Sequence, residues 1–111
     1  MGDNVQIESA DGFQLGAYVA TPAGAPKGAV VVIQEIFGVN QHIREVADGY
    51  AEAGFYAIAP KIFDRIERDI ELGYEEADMG RGIDLAFQQL DILGPLLFTE
   101  RARNLEPVTP L

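Results

Sequence analysis

The sequence predicts an α/β fold in which two antiparallel strands feed a parallel sheet with helices packed on it. Three observations carry that expectation. Ala29-Val30-Val31-Val32-Ile33 is an apolar run without alternation and rich in β-branched residues, which fits a strand buried on both faces. Phe55 to Ala59 is a second such run, stopped by Pro60. Between them lies a stretch with helical spacing, so the unit is strand, helix, strand, a right-handed crossover between parallel strands.

The elements follow in order. Val5 to Ile7 and Gln14 to Ala20 alternate apolar with polar residues around Asp11-Gly12. Gly accepts positive φ, so this pair of runs predicts a half-exposed hairpin. Thr21 to Gly28 holds two Pro and two Gly and reads as a loop. After the run at 29–33, Gln34 to Val39 connects to Asn40, which can cap a helix. Ile43, Val46, Ala47, Tyr50 and Ala51 recur at helical spacing, and Gly54 stands where a left-handed C-terminal cap belongs. Gly49 inside that helix costs up to ~1 kcal/mol against Ala, so a close contact between helix and sheet is expected there. Met79, Ile83, Ala86, Phe87 and Leu90 predict a helix over about 74–90 with an apolar stripe. Tyr74 and Phe87 are expected in the core, and Glu75, Glu76 and Asp78 on the wet face. Gly94-Pro95 is expected to end the helix, leaving 92–111 as a divergent tail after a unit at 1–91.

With 111 residues the chain makes one modest domain. Its net charge of −10 argues against nucleic acid and against an anionic membrane surface. There is no cysteine, hence no disulfide and no thiolate metal site. No signal peptide and no spanning run is visible, so a cytoplasmic location is the default expectation. No cofactor and no metal is expected.

The stretch Val31 to Asn40 holds Gln34-Glu35-Ile36-Phe37-Gly38 and closely resembles the dienelactone hydrolase family. The resemblance runs on through Ile43-Arg44-Glu45, Ala51 to Gly54 and Ala57 to Pro60, with Leu72-Gly73-Tyr74 and Ala77-Asp78 fitting one branch of the family. It implies an α/β-hydrolase fold and hydrolysis of an ester or lactone. It also implies that Glu35 is the carboxylate that activates a nucleophilic thiol, and that the Ile36 N–H helps form the oxyanion hole. A Glu at the carboxyl end of a buried parallel strand agrees in kind, because open α/β sheets place their sites there. Such a carboxylate is costly unless paired or functional.

The family's nucleophile stands on a Gly-x-Cys-x-Gly elbow, with its acid and His base further on. This sequence has no Cys, its one serine is Ser9 in the hairpin, and its one histidine is His42. The expectation is therefore an incomplete α/β-hydrolase fold, truncated before the elbow and inactive alone. The alternative is a non-catalytic oligomeric module, or one half of a split hydrolase. The family's strand order sets 29–33 beside both 55–59 and the nucleophile strand. Without the latter, the edge of 29–33 is bare. It is then expected to pair with another copy in a homo-oligomer, or to be covered by Leu96-Leu97-Phe98.

Each candidate has a plainer reading. Glu35 can be a rim carboxylate bonded to backbone N–H groups. His42, in the first turn of a helix, fits a solvated surface residue better than a base. Arg65 and Arg68 lie in a region from which the family draws an arginine for a carboxylate substrate. Surface ion pairs with Glu67 or Asp69 are their plainer role.

Overall fold

A computed structural model describes the backbone of residues 2–104 and the side chains of residues 2–90. Its sheet has four strands, β1 (Asp3–Glu8), β2 (Gln14–Ala20), β3 (Ala29–Val31) and β4 (Tyr56–Pro60), in the order β1-β2-β4-β3. The first two pair antiparallel from Asp3↔Val19 to Glu8↔Gln14. Then β2 pairs antiparallel with β4, and β3 pairs parallel with β4 at Val30↔Ala57. The hairpin and the parallel pair stand where the sequence pattern puts them.

Hairpin closure is chemical as well as steric. Gly12 has φ 89° and donates to Ser9 O, while Ser9 N–H donates to Phe13 O. The expectation of a half-exposed hairpin holds for neither strand: β1 is the outer strand and all of it but Ile7 is exposed. β2 is the inner partner of both β1 and β4, so Gly16 to Ala20 are buried.

The helix α1 (Gln41–Glu52) starts and stops on its two signals. Asn40 accepts from Ile43 N–H at 3.1 Å and is itself buried. Gly54 takes φ 101° just past the end. The buried face, Ile43, Ala47 and Ala51, packs with Val32, Ala57, Ala59, Tyr18 and Ala20 into the main core. Gly49 points the other way: a Cβ there would meet nothing within 4 Å. The expected close contact at Gly49 is absent because the residue lies on the helix's solvent side.

The run 29–33 is a strand only over 29–31, with Val32 N–H still bonding Ile58 O. It is not buried on both faces. Val30 and Val32 meet α1, whereas Val31 and Ile33 on the opposite face are 58% and 61% exposed. An unbroken apolar run reports what a strand is able to bury. Among the described residues α1 covers only one side of it.

After β4 a 3₁₀ turn, Ile62–Arg65, leads to the helix α2 (Glu76–Asn104). A second core joins Phe63, Ile70 and Leu85, with Ile66, Leu72 and Ala86 against it. Here the expected stripe is out of phase with the packing. Gly82, Leu85 and Gln89 are buried, while Met79, Ile83, Phe87 and Leu90 are exposed. Tyr74 is exposed too, so neither it nor Phe87 is a core residue. The stripe marks the apolar side of α2, but the segment at 63–72 meets the flank beside it. Gly94-Pro95 does not end the helix, whose backbone continues to Asn104. A proline inside a helix loses one N–H and crowds the carbonyl four residues earlier, yet the helical backbone runs through position 95. The side chains of Leu96, Leu97 and Phe98, expected to cover β3, lie outside the described residues.

Candidate active site

The loop after β3 is built from the outside in. Glu35 O accepts from Gly38 N–H at 3.2 Å, so residues 35–38 form a tight turn. Gly38 closes it with φ 83°, and a Cβ there would lie 2.1 Å from Ile70 O. Both the conformation and the space therefore demand glycine at this position.

Four further contacts hold the loop and the start of α1 against the segment before α2. Leu72 N–H donates to Phe37 O at 2.9 Å, and the Phe37 and Tyr74 rings meet edge to face at 4.6 Å. Asn40 Nδ2 donates to Tyr74 Oη at 3.0 Å. Arg44 bonds Val39 O and reaches Glu71 at 2.8 Å. On the other side α2 brings Gly82 against the Ile36 carbonyl, where a Cβ would be 2.3 Å away.

This frame presents two groups. The Glu35 side chain is exposed, and among the described residues its carboxylate forms no hydrogen bond or ion pair. The desolvation argument for Glu35 therefore does not apply: on this edge of the sheet no described element covers it. Ile36 N–H donates to no acceptor among the described residues.

The other candidates lie elsewhere. His42 is exposed at the start of α1 and lines a depression of about 420 Å³ with Asn40, Glu45, Glu71 and Tyr74. Glu35 is not in that lining, so the geometry does not unite Glu35 and His42 as an acid and base. Arg65 and Arg68 flank the hairpin loop and stack at 4.7 and 5.2 Å from the Phe13 ring. Arg65 pairs with Asp11 at 2.7 Å and donates to Ser9 Oγ, and Ser9 in turn bonds the Asp11 carboxylate. The expected partners of the two arginines go to other cations: Glu67 meets Arg81, and Asp69 meets Lys61. Glu75 and Glu76 are exposed, as a wet helix face requires. No group of three His, Asp or Glu among the described residues is placed to hold a metal ion.

The Arg65 hydrogen bond, and after it the Ser9 hydroxyl, hold the Asp11 carboxyl far below the usual carboxylate range. The same pairing raises Arg65. These shifts mark a latch that ties the hairpin to the 3₁₀ turn.

Two groups escape a reading of the sequence alone. Gln34 splits its amide between Ile62 N–H and Glu35 O, at 3.0 Å each. Asp64 is buried beneath β2 and accepts from Gly16 N–H at 2.7 Å and Asp69 N–H at 2.9 Å. In the sequence it is one acid among many in an acidic stretch. The nearest local clue is that it falls just after an apolar strand.

Comparison with known proteins gives a consistent picture. The model of the "Dienelactone hydrolase family" matches residues 15–92. A protein of Synechocystis sp. named "Putative carboxymethylenebutenolidase" is 40% identical over 102 residues, 88% of this chain and 42% of its own length. The carboxymethylenebutenolidase of Pseudomonas putida is 40% identical over 63 residues, 57% of this chain and 27% of that protein. A solved structure of a "Putative Dienelactone Hydrolase" from Klebsiella pneumoniae superposes with TM-score 0.60 at 32% identity, covering 73% of this chain and 34% of that one. In each case the 111 residues span less than half of the protein they match.

Proposed function

The chain belongs to the dienelactone hydrolase family, and from that premise we propose that it carries the oxyanion and activating-carboxylate half of a hydrolase for small esters or lactones. The observation that carries the reading is the turn at 35–38. At the carboxyl end of the edge strand β3 it leaves a carboxylate and a backbone N–H side by side, both without partners among the described residues. In this reading the Glu35 carboxylate draws the proton from an incoming nucleophile, and the Ile36 N–H stabilises the oxyanion that forms on the substrate carbonyl.

The 111 residues hold no cysteine, and their one serine is engaged in the hairpin latch. The nucleophile elbow, the acid and the base must come from residues outside them. Such catalytic groups act as a unit, and losing the nucleophile costs several orders of magnitude in rate. By themselves these residues are therefore a catalytically silent half.

A second observation bears on partners. Val31 and Ile33 leave the face opposite α1 apolar and exposed, and no strand among the described residues pairs with the outer edge of β3. A bare apolar edge is a template for another strand. The chain self-associates through that edge when nothing else pairs with it, which is also how a non-catalytic oligomeric module would behave. Hydrolysis of a p-nitrophenyl ester and a dienelactone by the isolated chain, beside Glu35→Gln, tests the silent half. The expected rate equals that of buffer. Turnover abolished by Glu35→Gln would mean that Glu35 carries chemistry unaided, and the reading would fall.

A further inference from the structure

We infer that Gln34 is the positioning residue that aims the Ile36 N–H, acting through the Glu35–Ile36 peptide. This rests on the oxyanion reading above and adds to it the group that sets the donor's direction.

In a trans peptide the C=O and the N–H are coplanar and point in opposite directions. Glu35 C=O and Ile36 N–H belong to one such unit, so whatever holds the carbonyl directs the amide. Two donors hold it: Gly38 N–H at 3.2 Å, from within the turn, and Gln34 Nε2 at 3.0 Å. The bond within the turn is the longer of the two. The Gln34 bond adds a second anchor from outside the turn.

Gln34 is itself anchored. Its Oε1 accepts from Ile62 N–H at 3.0 Å, the first amide of the 3₁₀ turn after β4. A donor on one side and a carbonyl on the other determine which end of the amide is which. The side chain thus ties the turn at 35–38 to the 3₁₀ turn that follows β4. Pulled toward Gln34 and Gly38, the Glu35 carbonyl turns Ile36 N–H away from the loop's own acceptors, and among the described residues that N–H stays unbonded. The next carbonyl, that of Ile36, is confined by the close approach of Gly82. Both peptides flanking Ile36 are therefore set by their surroundings.

The chemistry separates the two ends of Gln34. Glutamate at this position still accepts from Ile62 N–H but, ionised, cannot donate to Glu35 O. Leucine does neither. Amide NMR of the 111-residue chain tests the inference without turnover, so the result is independent of whether the hydrolase reading survives. In Gln34→Glu the Ile36 amide resonance is expected to shift and its order parameter to fall. Exchange protection of Gly38 N–H should drop by about tenfold, the scale of losing one neighbouring bond. Ile62 N–H should keep its protection, and the thermal midpoint should stay that of the parent. Gln34→Leu should release both Ile36 and Ile62. An unmoved Ile36 amide in Gln34→Glu, with the chain folded, overturns the inference. So does equal loss at Ile36 and Ile62 in Gln34→Glu, which is the mark of general loosening.

Discussion

Individual residues matter here mainly through what their neighbours permit. Gly38 and Gly49 show the contrast. Gly38 combines positive φ with backbone contact at Ile70, so Gly38→Ala should cost about 2–3 kcal/mol. Gly49 faces open space on a helix, so Gly49→Ala should stabilise by about 0.5–1 kcal/mol. Urea unfolding reads both, and equal signs for the two would show that the loop geometry is misassigned. Asp11 gives a pH prediction. A carboxyl held low in the folded state contributes its full stability above its unfolded value, about 3.9, and loses it as pH falls. Protection of the Ser9 and Phe13 amides should therefore fade progressively as the pH falls below about 4 in the parent. In Asp11→Asn it should be weak throughout. An identical acid profile in both chains would count against the latch. Asp64 was the residue least legible in the sequence. Acidic residues crowd that stretch, and only the fold selects which one goes beneath β2 to collect two amides. Glu35 and Ile36 were legible as a motif. Their exposure was not, because it depends on what covers the edge strand.

At the scale of elements, pattern and packing agree where an element's whole apolar face is covered. The caps Asn40 and Gly54 delimit α1, whose buried face is the one its spacing marks. They diverge where an apolar face exceeds what the described residues cover. Phe87 is expected in the core yet stands in the exposed row Met79, Ile83, Phe87 and Leu90 of α2, because periodicity reports amphipathicity and is silent on which element arrives. The same holds for β3, whose two faces have different fates. Leu85→Ala, in the buried flank of α2, should cost about 2–4 kcal/mol. Ile83→Lys, two residues away in sequence but exposed, should change stability by no more than about 0.5 kcal/mol. Reversed magnitudes in thermal unfolding would mean that α2 is rotated from the orientation described. Ile33→Lys should raise the concentration at which the chain associates, as followed by light scattering. An unchanged association curve would remove the β3 edge from the interface.

The whole molecule is a mixed sheet with one helix packed on one face and a second helix clamped over the loop that follows β3. No helix among the described residues is long and apolar enough to cross a membrane. The fold class was legible because each strand and the helix of the strand-helix-strand unit carries its own local pattern and end signals. The site was legible only as far as its motif, because the groups expected to complete it lie outside these residues. The central claim is that residues 34–38 supply a working half of a hydrolase. It is tested most directly by fusing residues 5–90 to the remaining portion of the Pseudomonas putida carboxymethylenebutenolidase and measuring dienelactone hydrolysis. The chimera is predicted to turn over the lactone, and Glu35→Gln in it to lower kcat by at least about a hundredfold. A folded chimera without activity, or one in which Glu35→Gln is as fast as the parent, would contradict the claim.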